Sequence, residues 1–227
     1  MRREDYIMRL IESLQGLLPY ILDLVKSGAY HEAHAIIDQN LREMTGLGSK
    51  GLIGLDDEAL LGLLQRDGQL NWREKAVFTA TLLGEDADIY AERNHFGDSY
   101  DRYLQALHLF LHLALDPEVG GDGRDVTPEI TAISEKLAEY HLPGRALSLL
   151  MRYHEQRDEF AAAEDALYDW LEADPALALP DHPNPLAEGR QFYARLQRLS
   201  DAALKAGGLP RDEVEAGMVE LAQYLDD

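Results

Sequence analysis

His108 and His112 stand four residues apart, with Leu109-Phe110-Leu111 between them. On an α-helix that spacing turns both imidazoles the same way, the arrangement by which two histidines share one metal ion. Gln105 and Asp101 extend the stripe backwards by one and two turns. The glutamate that follows the first histidine of a zinc-protease helix is absent, and no third ligand lies close by in the chain. The alternative is that Asp101, Gln105, His108 and His112 form the one polar face of an otherwise apolar helix, with no metal. His31 and His34, followed by Asp38, repeat the idea more weakly and are expected on an exposed face. His154 shares an apolar side with Leu147 and Leu150 and reads as a hydrogen-bonded histidine of a core or interface. His141 falls at an expected helix C-terminus, where positive charge is favourable.

Other strings that resemble chemical motifs lack the context that gives them meaning. Gly46-Leu47-Gly48-Ser49-Lys50-Gly51 matches GxGxxG, but a helical pattern precedes it where a dinucleotide site needs a strand. Asp122-Gly123-Arg124-Asp125 lacks the alternating oxygen ligands of a calcium loop. No GxSxG nucleophile elbow occurs, and carboxylates are too abundant for any pair to stand out as acid and base. The expectation is a noncatalytic protein with no catalytic residues and no cofactor.

Composition narrows the class further. The 227 residues hold 42 acidic against 21 basic side chains, a formal net charge of -21. Such a surface repels phosphate backbones, so nucleic acid is not an expected partner. The charge serves solubility, and it also suits a basic protein or peptide, whose affinity would then fall with salt. The absence of cysteine removes disulfides and thiolate metal sites and fits a reducing compartment, so a cytoplasmic location is expected. Asp5, Arg9 and Glu12 interrupt the apolar run that a signal peptide would need after Arg2 and Arg3. Leu17 to Val25 is broken by Pro19 and Asp23, and no stretch reaches the ~20 apolar residues of a membrane span, so no membrane is expected as a partner.

The elements that must position these residues are helices throughout, since no run of β-branched residues alternates strictly. Helices are expected at about 3–27, 30–44, 56–66, 72–94, 99–115, 127–141, 144–157, 159–173, 186–206 and 210–225. Ile7, Ile11, Leu14, Leu18, Ile21 and Val25 repeat in the first as a heptad seam does, and Pro19 should kink or divide it. Gly46 to Gly54 reads as a loop, Gly97 marks a turn, and Thr127-Pro128-Glu129 reads as a capped helix start. Pro175, Pro180, Pro183 and Pro185 mark a linker. The expected organisation is a helical array over 1–175, a proline-rich linker over 176–185 and a C-terminal helical pair over 186–227, packed on the array or extending it.

Phe160, Ala163, Leu167, Trp170 and Pro175 fall at the intervals of the second helix of a tetratricopeptide (TPR) unit, which they resemble. Tyr30, Ala33 and Ile37 follow the same intervals, with Asn40 where Trp170 stands. Tyr100, Tyr103, Leu107 and Phe110 follow them again, with a tyrosine in the place of the small residue. These residues would pack helix on helix. The chain also resembles an uncharacterised bacterial family of TPR-like proteins, chiefly through Arg3-Glu4-Asp5-Tyr6-Ile7-Met8-Arg9-Leu10-Ile11-Glu12. The resemblance implies an all-α, irregular TPR-like array of helical hairpins, an α-α superhelix of about ten helices, and brings no assigned activity.

In TPR proteins the partner lies in a groove lined by the first helix of each hairpin, here 72–94 and 144–157. Arg73, Lys75, Arg93 and Asn94 are of the types that clamp a peptide carboxylate in some members, but they do not align with that clamp. The leading expectation is a scaffold or adaptor that holds a protein or peptide partner, with a basic one suited to the charge. The alternative is a structural homodimer or larger homo-oligomer joined through the seam from Ile7 to Val25. A metal-dependent protein using His108 and His112 comes third.

Overall fold

In a computed structural model, residues 3–66, 72–116, 125–173 and 184–224 are described, with side chains of the first helix from Glu12 onward. The described residues form twelve helices and no strand. The class is all-α. Pro175, Pro180, Pro183, Pro117, the Asp122-Gly123-Arg124 string and the side chains of Ile7 and Ile11 lie outside the described residues. The helices group into two compact units, 1–139 and 140–227.

The first unit contains α1 (Arg3–Lys26), α2 (Tyr30–Thr45), α3 (Ser49–Leu52), α4 (Asp57–Gln65), α5 (Trp72–Glu92), α6 (Phe96–Leu115) and α7 (Thr127–Leu137). The α5/α6 hairpin is its centre: α1, α2 and α4 pack on α5, while α4 and α7 pack on α6. Within the heptad seam, Leu14 and Ile21 are buried inside the unit and Leu18 and Val25 are half-buried. Pro19 does not divide α1. It and Gln15 are exposed, so water can take the carbonyl bond that proline's missing N–H leaves open.

The second unit contains α8 (Gly144–Gln156), α9 (Phe160–Ala173), α10 (Pro185–Leu196), α11 (Asp201–Ala206) and α12 (Arg211–Gln223). An α8/α9 hairpin packs through α9 on α10, and α10 and α11 pack on α12. Trp170 is buried where Gly144 opens α8. A Cβ on that glycine would come within 2.7 Å of the indole Nε1. The single helix expected over 186–206 is two, because Ser200 accepts from the Ala203 amide and starts α11 afresh. Pro185 opens α10 rather than closing a linker, with Asn184 Oδ1 accepting from the Leu186 and Ala187 amides.

Four connections share one device. Gly28, Asn94, Asp158 and Gly208 all have positive φ. The next amide in each case reaches back to a carbonyl five residues earlier: Ala29 to Leu24, His95 to Tyr90, Glu159 to His154 and Leu209 to Leu204. Such 6→1 bonds close helix ends in the Schellman manner. The α5/α6 turn is therefore made by Asn94, and Gly97 lies inside α6. Asn and Asp tolerate the left-handed conformation better than other side chains do.

Two further expectations are corrected. The loop expected from Gly46 to Gly54 contains α3, held by Ser49 N donating to Asp38 Oδ1 at 2.9 Å. Thr127 does not cap α7 but is its first residue, and its amide is taken at 3.0 Å by Asp125 Oδ1. The helix then ends at Leu137, short of His141.

Candidate functional site

The first unit buries a carboxylate among three donors. Asp86 lies on α5 with Leu82, Leu83 and Ile89 as buried neighbours one turn away, and is itself only 2% exposed. It accepts from His34 Nδ1 of α2 at 2.6 Å, from Ser49 Oγ of α3 at 2.6 Å and from Arg102 Nε of α6. Arg102, 4% exposed, also donates to the Asp98 carbonyl at 2.7 Å and lays its guanidinium over the Tyr90 ring, 4.1 Å from the centroid. His34 packs against the same ring at a tilt, with centroids 4.4 Å apart. Burial pulls the Asp86 pKa up, but the bonds from His34, Ser49 and Arg102 together outweigh it and hold the carboxyl below its ordinary value.

Chemically the cluster is a tie between helices. Both Ser49 and His34 bond the carboxylate, so no histidine stands between serine and acid as a Ser-His-Asp relay requires. His34, expected on an exposed face, turns inward, while His31 is exposed.

The stripe along α6 serves the same end. His112 Nε2 lies 2.7 Å from Asp57 Oδ2, the buried first residue of α4. Gln105 donates to the Leu55 carbonyl, His108 is buried between them on the helix, and Asp101 is exposed. Three of the four polar positions thus face protein, and two of them bond the segment that carries α3 and α4. Among the described residues no group of three or more His, Asp or Glu could hold a metal ion.

The groups suited to a carboxylate clamp are scattered by the fold. Arg73 donates to Asp116 Oδ2 from Nε at 2.9 Å and Nη2 at 2.7 Å, Lys75 is buried, Arg93 lies 5.9 Å from the Tyr30 ring centre, and Asn94 makes the turn. The residues expected to pack between helices are covered to differing degrees. Ala33, Ile37, Tyr103, Leu107, Phe110, Phe160, Ala163, Leu167 and Trp170 are buried, and Tyr30 and Tyr100 half-buried. His154 is half-buried and binds Glu159 across the α8/α9 turn at 2.8 Å.

The second unit presents a different environment. Glu164 of α9 accepts from Tyr193 Oη of α10 at 2.6 Å, and Tyr193 Oη lies 3.4 Å from Tyr168 Oη, which donates to the Gly217 carbonyl of α12 at 3.2 Å. Tyr168 and Tyr224 face one another with centroids 6.3 Å apart. Burial raises the Glu164 pKa. The Tyr193 bond opposes that, but the charges acting most on Glu164, those of Asp165, Glu213 and Glu220, are all negative and raise it further. Burial and then Glu172 and Asp165 likewise raise Asp169.

An acid with a raised pKa costs the fold stability when ionised. The cost is full above the folded-state pKa and vanishes as pH falls below the unfolded value of about 4.3. Glu164→Gln keeps an oxygen for Tyr193 and removes the charge. It is expected to raise the midpoint of thermal unfolding at neutral pH and to change nothing below pH 4, as calorimetry at the two pH values would show.

Fold and site together define an all-helical protein that spends its buried polar groups on tying helices together and leaves negative charge crowded in its second unit. No helix among the described residues is long and apolar enough to cross a membrane. The chain belongs to a family of unknown function, DUF6483, whose family model matches residues 1–226. No curated protein and no solved structure matches it.

Proposed function

We propose that the protein is a noncatalytic, TPR-like adaptor that holds a basic segment of another protein. The observation that carries this reading is the like-charge crowding across α9 and α12, where Glu164 is pushed up by burial and by three neighbouring carboxylates. Five of the chain's cations are held by other carboxylates: Arg102 by Asp86, Arg73 by Asp116, Lys136 by Asp88, Arg195 by Glu155 and Arg211 by Asp201. A cation brought by a partner would relieve the repulsion at Glu164.

The TPR-like part rests on the turns. Positive-φ residues Gly28, Asn94 and Asp158 are each followed by one residue and then by an aromatic residue that begins a helix: Tyr30, Phe96 and Phe160. Counted from there, the small third position holds Ala33, Ser99 and Ala163, and the next turn holds Ile37, Tyr103 and Leu167, all buried. On α6 this register runs one turn ahead of the one that begins at Tyr100. The three starts then lie about two ~34-residue periods apart. Self-association through the α1 seam draws less support, because Leu14 and Ile21 are already used inside the first unit.

Affinity capture from the native host, repeated at raised salt, tests the adaptor reading. Specific basic proteins that are released as salt rises are the expected result. Recovery of the bait alone at every salt concentration would count against it.

A further inference from the structure

Among the described residues Val219 is the most exposed of the large apolar side chains, at 64%, and it stands within α12. That helix buries Val214, Gly217 and Leu221 within its unit. The opposite side carries Ala216, Val219 and Ala222 at steps of three, with Asp212, Glu215 and Gln223 beside them, all exposed. Residues three apart form a ridge, and small ones on either side of a valine let a second helix approach closely. Glu213 and Glu220 flank this ridge on the side toward α9, near enough to Glu164 to act on its charge. Tyr224, 38% exposed, closes the end beside Tyr168.

The apolar ridge alone would admit many occupants, but the charge around it selects among them. A hydrophobic segment with acidic flanks would be repelled by Glu213 and Glu220, and a purely basic strand would leave Val219 wet. The complementary shape is a helix with aliphatic residues on one stripe and lysine or arginine beside it. Lysine and arginine also suit the tyrosine rings, whose faces attract cations.

We infer that the outer face of α12 docks a basic amphipathic helix of a partner protein, with Val219 at the centre of the contact and Glu213 and Glu220 pairing its cations. This rests on the adaptor reading and gives it a place and a partner class.

The test uses the full chain and two synthetic peptides of equal composition, one a leucine/lysine amphipathic helix and one a scrambled version that cannot segregate its leucines. Binding is read by fluorescence anisotropy. The wild type is expected to prefer the patterned peptide by about tenfold. Val219→Asp should abolish that preference, although it adds a negative charge that would strengthen purely electrostatic binding. Glu220→Lys should weaken both peptides by about tenfold, whereas the same charge change at exposed Glu12 of α1 should leave the preference intact. Circular dichroism confirms that each variant is folded. If Val219→Asp keeps the preference, or Glu220→Lys acts no more strongly than Glu12→Lys, the α12 docking face is wrong while an acidic adaptor stands. If neither peptide binds the wild type, both readings fall.

Discussion

Asp86→Ala is expected to lower stability by about 3–5 kcal/mol, the range for removing one partner of a buried ion pair. The large effect follows from what remains. Arg102, 4% exposed, would keep its charge with only Asp98, through its carbonyl and a carboxylate oxygen 3.9 Å away, and the Tyr90 ring to receive it. His34 and Ser49 would each lose the acceptor that ties α2 and α3 to α5. Adding Arg102→Met to Asp86→Ala should recover much of the loss, because the stranded charge disappears with its partner. Urea unfolding of the wild type, both single variants and the double variant gives the coupling directly. A double variant as unstable as the two losses added together would show that the pair is not coupled.

The pH dependence has a defined sign. The folded-state pKa of Asp86 lies below its unfolded value, so the carboxylate contributes stability that is present above about pH 4 and is lost as pH falls through the folded pKa. Asp86→Ala lacks that contribution throughout. The gap between wild type and variant should therefore narrow on the acid side of pH 4.

Trp170→Ala is expected to cost about 3–5 kcal/mol, the range for truncating a large buried aromatic. Trp170 is 4% exposed, and Gly144 leaves its indole no room for a Cβ at the start of α8. Removing the ring would leave a cavity in the hairpin that also buries Phe160, Ala163 and Leu167. Gly207 belongs to the same cluster, since a Cβ there would overlap the Phe160 ring and the Asp158 carbonyl. Hydrogen exchange across α8 and α9 should accelerate by orders of magnitude, the reading appropriate to a chain with two compact units. Exchange unchanged in that hairpin would mean that the ring is not part of its packing.

Helical periodicity made most of the long elements legible, because an apolar face repeats within one element and needs no knowledge of its neighbours. Gly46 to Gly54 was harder. One turn of helix there depends on Asp38 and Asp86, which lie 11 and 37 residues from Ser49. The turn at Asn94 was missed for a different reason: Gly97 is the stronger local signal, yet the left-handed position falls three residues earlier. The Asp86 cluster joins residues 34, 49, 86 and 102, and no spacing within one segment reveals it. One signal was present, an acidic residue among Leu82, Leu83 and Ile89 on one helical face, which forecasts a buried carboxylate in need of donors. The polar stripe on α6 is visible from its spacing, but what covers it, the segment ending in Asp57, lies about fifty residues away.

The crowding around Glu164 was hidden in the composition. A net charge of -21 says how much acid the chain carries, whereas the packing of α9, α10 and α12 decides which carboxylates meet. The most direct measurement of the central claim is the titration of the Glu164 carboxyl carbon by NMR, alone and with a saturating leucine/lysine helical peptide. A basic segment seated on α9 and α12 must lower the Glu164 pKa from its raised position toward the ordinary glutamate range. A peptide that binds and leaves that pKa where it was would contradict the account.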